Sequence, residues 1–441
     1  MRLTDALRYY VNTRVMGWTA IRVNRLYSEM KTRFRKERKD SYTAPPLRIS
    51  SRTKEMIARH YLDGRFAKPY RKVAWVTSGA PVEILNALGF HLFYPENHGA
   101  ICGVSRTAEE ISGEAEDAGY SPDICSYART DIGSALSGKT PVGKLPPPDI
   151  LVACTNICQT VLYWYGFLAH HFKVPLILID TPFIYTEASD HSIEYVKKQL
   201  EAAVPIAEGV AGKTLDERKL KDFMYKSRIA MDLWMEILGR GAHRPTPISA
   251  FDQFIHMAPI VEMRGHSHTI DFYAAMLKEV DRRIAHGIGA VKNERKRLLW
   301  DNLPIWHKFR FLSETLGKHG VVLAASTYTN AWAELAPMID PEKPFESAAR
   351  AYLHPMLNRG AGHKLNTMRR MIEKYSLDGV ILHSDRSCKP YSIGQMDQRT
   401  LLMSEYGIPA LLLEADHCDP RYFTDARTTT LLMAFIEMLG Q

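Results

Sequence analysis

The sequence predicts an α/β protein with two parallel-sheet domains of Rossmann or flavodoxin type, a helical N-terminal arm and a helical middle segment. Three observations carry this. Short apolar runs, each closed by a turn of small or polar residues, alternate with stretches of helical periodicity. The alternation occurs twice, once before residue 185 and again after residue 315. Between those two regions strand-like runs are absent and helical spacing dominates. The expected divisions are an arm over 1–70, a first α/β domain over 71–185, a helical segment over 186–315 and a second α/β domain over 316–441.

In chain order, residues 1–40 read as helical and end in a charged run from Arg33 to Asp40. A linker at 42–46 contains Pro45-Pro46, and 51–66 is a second helix. The run at 73–77 is a strand, closed by Ser78-Gly79-Ala80-Pro81 and followed by a helix over 83–88. Further strands are expected at 91–94, 150–154 and 176–179, with a helix over 159–172 between the last two. Helices at 192–203 and 269–286 belong to the middle segment. The second domain is expected to hold strands at 321–325, 379–382 and 410–414, joined by helices at 363–375 and 393–406. No internal sequence repeat is visible, although the halves could share an architecture.

The chain has 441 residues, 46% of them hydrophobic and 24% charged, which suits a globular protein of two or three domains. Six cysteines are too sparse for a disulfide scaffold. The N-terminus lacks an apolar signal core and no apolar run approaches a membrane span, so a cytoplasmic protein is expected. The net charge is +8, and residues 1–50 alone hold twelve Lys or Arg against four Asp or Glu. The arm therefore carries the whole excess. Such an arm could meet nucleic acid, an acidic partner or a CoA phosphate; a solvated basic helix is the simpler reading, and nucleic-acid binding is not expected. Tyr9, Tyr10, Trp18 and Tyr27 are expected to form its packing face.

Cys125, Cys158 and Cys388 each lie in a small-polar turn sequence past an apolar run, and none belongs to a C-x-x-C pair. Three thiolates gathered from distant strand ends suit an iron–sulfur cluster with one iron lacking a protein ligand. For each cysteine alone, a buried apolar thiol is the ordinary alternative. A structural zinc site would bring ligands at short spacing and a fourth Cys or His. Cys102, Cys154 and Cys418 read as structural, with Cys154 inside its strand. Open parallel sheets bind ligands beyond their carboxyl ends, and there fall Ser78, Glu96, Cys158 and Cys388. Ser78 and Glu96 could equally be a helix cap and a loop carboxylate. Neither a G-x-x-x-x-G-K-[ST] loop nor a G-x-G-x-x-G after a strand occurs, so ATP hydrolysis and dinucleotide binding are not expected of this chain.

The segments Thr77-Ser78-Gly79-Ala80-Pro81, Tyr94-Pro95-Glu96-Asn97, Asp123-Ile124-Cys125-Ser126-Tyr127, Thr155-Asn156-Ile157-Cys158, Asp180-Thr181-Pro182-Phe183, Ser387-Cys388 and Asp419-Pro420-Arg421 carry a likeness. Together they resemble the 2-hydroxyacyl-CoA dehydratase and ATP-dependent (class I) benzoyl-CoA reductase family. It runs over roughly residues 70–440 and leaves out the arm. The resemblance implies one [4Fe–4S] cluster between the two α/β domains, held by Cys125, Cys158 and Cys388. It also implies a related cluster-bearing sister subunit, a separate ATP-hydrolysing activator that injects the electron, and a CoA thioester as substrate. Ser78 would hydrogen-bond the thioester carbonyl and Glu96 would move the accompanying proton. The segments Ser387 to Gln395 and Asp301 to Trp306 look closer to the larger subunit of the benzoyl-CoA reductases, which reduce an aryl-CoA ring. Radical dehydration of a 2-hydroxyacyl-CoA is the alternative. A third reading is a non-catalytic electron-transfer protein of the double-cubane type, which uses six cysteines per chain; Cys102, Cys154 and Cys418 do not match the extra positions.

Overall fold

The computed structural model describes residues 3–33 and 41–440. The arm begins with helix α1 (Leu3–Tyr10), passes through a π-helical stretch (Val11–Gly17) and continues as α2 (Trp18–Arg33) and α3 (Ser50–Arg65). Beyond Arg33, the predicted charged run lies outside the described residues. Tyr9 stacks on Tyr70 at 4.6 Å and Trp18 donates its indole N–H to Asp63 at 2.9 Å. The four aromatics do not share one face, contrary to the sequence reading. Tyr10 and Tyr27 remain 59% and 61% exposed, because neighbouring helix positions such as 9 and 10 point about 100° apart.

The first sheet is built from β1 (Val73–Val76), α4 (Val82–Ala87), β2 (His91–Phe93), α5 (Pro95–Ser105), α6 (Ala108–Asp117), α7 (Ser126–Ser137), β3 (Ile150–Cys154), α8 (Thr160–Phe172) and β4 (Leu176–Ile179). Its four strands are parallel in the order β2-β1-β3-β4, with Ala74 beside both Leu92 and Ile150. Every residue of β1 and β3 is buried, which is why these strands read as continuous apolar runs rather than as alternation.

The middle of the chain folds as α9 (Asp190–Ala211), α10 (Glu217–Gly239), α11 (Ala250–His256), α12 (Ala258–Glu262) and α13 (Ser267–Ala285). Local chemistry sets several starts: Ser189 and Asp216 cap α9 and α10, and Ser249 with Asp252 forms a capping box on α11. The second sheet follows with β5 (Lys296–Asp301), α14 (Phe309–Lys318), β6 (Val321–Ser326), α15 (Thr327–Leu335), α16 (Pro344–Leu353), α17 (Ala361–Tyr375), β7 (Gly379–Asp385), α18 (Lys389–Ser392), α19 (Gln395–Ser404), β8 (Ala410–Ala415) and α20 (Asp425–Met438). Its order is β6-β5-β7-β8, again all parallel.

Strand β5 overturns the reading that 185–315 holds no strand. It is an inner strand of the second sheet, yet it opens with Lys296 and Arg297. Arg297 is fully buried, and its guanidinium is satisfied by Glu294 at 2.7 Å and by the carbonyls of Tyr375 at 2.9 Å, His243 at 3.0 Å and Gly241. A strand whose charge is neutralised by loops on either side leaves no apolar signature at its start.

The two sheets share one connectivity, since each places its second strand outside its first and then its third and fourth on the other side. Each therefore reverses strand order between its first and third strands, where open parallel sheets form a crevice.

Candidate active site

Both crevices open on one cavity of about 150 Å³. Ser78 and Gly79 enter it from the end of β1, Cys158 from beyond β3, Leu303 from beyond β5 and Cys388 from beyond β7. Glu96 and Asn97 join from the first turn of α5, Tyr328 and Trp332 from α15, and Met257 and Val261 from α11 and α12 and their junction. All five sequence candidates, Ser78, Glu96, Cys125, Cys158 and Cys388, line this one space.

Cys125 arrives differently from the expectation. It follows helix α6 and a loop rather than a strand, and it occupies the position preceding α7, with φ −46° and ψ 129°. Cys388 likewise lies just beyond β7, which continues to Asp385 instead of ending at 382. Cys102, Cys154 and Cys418 are buried away from the cavity. The Cys102 thiol lies 3.6 Å from His98, and Cys418 donates to the Gly99 carbonyl at 3.2 Å. Those three behave as core thiols.

The cavity thiols are chemically unsettled as they stand. Burial, followed by the nearby Cys125, pushes the Cys158 thiol up to about 12. Burial and Asp385 push Cys388 well above its ordinary value. Three mutually close thiols in an apolar cleft gain little by ionising alone, whereas positively charged irons would stabilise all three thiolates. Among the described residues, the one set of three or more ligand atoms within 4.8 Å of one another is Asp385, Asp416 and His417.

The Asp385–Asp416–His417 set is a closed hydrogen-bond network. His417 Nδ1 lies 2.7 Å from Asp385, its Nε2 lies 2.8 Å from Ser126, and Ser387 donates to Asp416 at 2.6 Å. Burial opposes charge on His417, but Asp385 and Asp416 outweigh it and hold the imidazole protonated well above its ordinary range. The Cys125 thiol lies near enough to favour the protonated imidazole as well. This cation behind a thiol was not found from sequence, because Ser126, which fixes it, comes from a distant segment.

Glu96 is buried, and its Oε1 accepts the backbone N–H of Ser78 at 3.2 Å. The Ser78 side chain also lies near this carboxyl and favours its charged form. Its Oε2 is buried without a partner. Burial raises the carboxyl to about 7, against the lowering effect of its own and Ser78's hydrogen bonds. Gly79 is required here by contact: a Cβ would collide with the carboxamide of Asn156. Tyr328 and Trp332 also escaped the sequence reading, because helix positions facing a cleft share the apolar spacing of core positions.

The 2-hydroxyglutaryl-CoA dehydratase, D-component family model matches residues 77–439. The chain belongs to this family. Among related proteins, the (R)-2-hydroxyisocaproyl-CoA dehydratase alpha subunit of Clostridioides difficile is 30% identical, over 88% of this chain and 95% of its own. The (R)-2-hydroxyglutaryl-CoA dehydratase alpha subunit of Acidaminococcus fermentans is 24% identical, over 88% and 96% of the two chains. A subunit of the benzoyl-CoA reductase of Thauera aromatica is 28% identical, over 88% and 94%. As a member of the D-component family the chain is an enzyme subunit. The match takes in every candidate site residue and leaves the arm outside it. Among the described residues, no helix is long and apolar enough to cross a membrane.

Proposed function

We propose that this chain is the [4Fe–4S]-bearing catalytic subunit that reduces a CoA thioester by one low-potential electron. The observation that supports this most is the convergence of three cavity-facing thiols with Ser78 and Glu96 at the facing crevices of two sheets. A bound cluster supplies the electron and an iron with a vacant coordination position. The remaining tasks belong to the chain. Cys125 and Cys158 from one half and Cys388 from the other hold the group. The Ser78 hydroxyl, fixed against Glu96, orients the thioester carbonyl by hydrogen bonding. Glu96, with its raised carboxyl, holds a proton near neutral pH and transfers it to or from substrate oxygen or carbon. Trp164, Trp332, Tyr328 and Met257 line the cleft and keep water from a reactive acyl group. The partners this reading calls for are a related sister subunit and an ATP-hydrolysing activator.

Two outcomes of such electron delivery compete: dehydration is redox-neutral overall and returns its single electron, whereas ring reduction to a cyclic diene consumes two electrons, delivered singly, and two protons. Ring reduction of benzoyl-CoA or a related aryl-CoA is supported by the segments Ser387 to Gln395 and Asp301 to Trp306 and by the benzoyl-CoA reductase relative. Dehydration of a (R)-2-hydroxyacyl-CoA is at least as well supported, through relatives named for that reaction. One assay separates them: anaerobic protein with its sister subunit, reduced activator and ATP is offered benzoyl-CoA or a 2-hydroxyacyl-CoA. A cyclic diene assigns the reductase, and an enoyl-CoA the dehydratase. Neither product from brown, iron-loaded protein would leave only electron transfer, and iron-free anaerobic protein would end the cluster reading.

A further inference from the structure

A second cavity, of about 680 Å³, lies between the arm and the first sheet. Arg14, Arg22, Arg25, Arg52, Arg59 and Arg71 line it, against the carboxyl groups of Glu55, Asp63 and Glu262. Six guanidinium groups face three carboxyl groups in the lining, with Glu29 beside Arg25 at 3.7 Å as a fourth, so positive charge is in excess by at least two. Glu55 is shared between Arg25 at 3.0 Å and Arg59, while Asp63 takes Arg14 at 3.4 Å and the Trp18 indole. Arg71 donates to the carbonyls of Gly89 at 3.3 Å and Phe90 at 2.8 Å. Among the described residues, the side chains of Arg22 and Arg52 have no hydrogen-bonding or ionic partner, the buried Nε of Arg59 lacks an acceptor, and that of Arg25 faces Glu29 at 3.7 Å. The guanidinium carbons of Arg14 and Arg59 lie 3.6 and 4.4 Å from the Trp18 ring, which fixes them in place. His60, His266 and His268 complete the wall; burial holds His60 at about 4 and His266 at about 3, so these two are neutral hydrogen-bonding groups.

Clustered like charges destabilise a fold unless an anion relieves them, and planar guanidinium groups match phosphate oxygens in pairs. An excess of at least two charges suits a ligand with more than one phosphate. The cavity also stands back to back with the thiol cleft. Val261 lines the cleft and its neighbour Glu262 lines the arginine cavity. Asn97, which lines the cleft, lies near enough to Glu262 to favour the charged form of its carboxyl. Strand β2 carries His91 and Leu92 at the arginine cavity and reaches Glu96 four residues later, at most about 13 Å of extended chain. Arg14, Arg22, Arg25, Arg52, Arg59 and Arg71 all precede residue 77, so the family match does not account for them.

We propose that the arginine cavity binds the phosphorylated nucleotide end of the CoA ester, so that the pantetheine arm passes the Asn97–Glu262 pair to reach the thiol cleft. This rests on the thioester reading above, and it adds a role for the arm. The test is calorimetric binding of adenosine 3′,5′-bisphosphate, CoA and dephospho-CoA to the full-length protein, without turnover. Bisphosphate and CoA are expected to bind, and dephospho-CoA to bind more weakly. Arg22→Glu combined with Arg52→Glu is expected to weaken bisphosphate and CoA about tenfold or more, whereas Lys198→Glu on exposed α9 has no effect. Arg22→Glu alone, at an exposed position without partners, repeats the measurement if the double variant unfolds. Absence of bisphosphate binding, or unchanged affinity in both arginine variants, overturns the proposal. So does a single-stranded oligonucleotide that outcompetes the bisphosphate and loses affinity through the same substitutions. Thioester turnover without bisphosphate binding defeats only this inference; bisphosphate binding without thioester chemistry defeats only the reading on which it rests.

Discussion

At the scale of single residues, Glu96 joins two properties that rarely coexist: one oxygen is anchored by Ser78, and the other is buried without a partner. The second oxygen is the one free to meet substrate. Because burial places this carboxyl at about 7, a step that needs its proton should slow as pH rises through that value. Glu96→Gln should lower kcat by about 10²- to 10⁴-fold, flatten the pH profile there and leave iron content unchanged; a profile with the same inflection in the variant would remove Glu96 from proton transfer. Sequence revealed Ser78, Cys158 and Cys388 because strand ends can be located from apolar runs. It missed the mode of arrival of Cys125 and the cation at His417, since both depend on contacts between segments hundreds of residues apart.

At the scale of elements, the turn that carries Ser78 is tied down by a buried ion cluster. Glu83 on α4 accepts Arg264 at 3.0 Å, the Tyr352 hydroxyl at 2.9 Å and the Ser227 hydroxyl at 2.9 Å, while Arg264 also reaches the Ala80 carbonyl at 3.0 Å. The Arg264 guanidinium lies 4.4 Å from the ring of Trp332, a wall of the cleft. One cluster thus joins the first sheet, the middle helices and α15. Removing a single partner leaves a buried charge, so Arg264→Ala should destabilise the protein by about 3–5 kcal/mol. Glu83→Gln with Arg264→Met should cost less than Arg264→Ala alone, as read by denaturant unfolding. Equal losses would show that the pair holds no uncompensated charge. Strand β5 belongs to the same lesson: its buried Arg297 conceals a strand from any reading based on apolar runs, whereas the other seven strands were legible within a few residues.

At the scale of the whole molecule, burial has an energetic consequence that pH can reveal. Asp131 on α7 accepts the Trp164 indole at 2.8 Å, and burial raises its carboxyl to about 8. The folded protein therefore retains a proton that the unfolded chain releases, so this group's contribution is most favourable below about 4 and is lost as pH rises towards 8. Asp131→Asn should match the parent protein's stability near pH 4 and exceed it at pH 8; parallel curves across that window would contradict the raised value. The duplicated strand order, invisible as sequence similarity, emerged only once both sheets could be laid side by side. It also divides the thiols unequally, with two in the first half and one in the second. Any group gripped by all three would rivet the two halves together. Opening the two halves to admit a substrate or an electron donor would pull directly on that rivet, so molecular breathing and the spacing of its anchors are one mechanical coordinate.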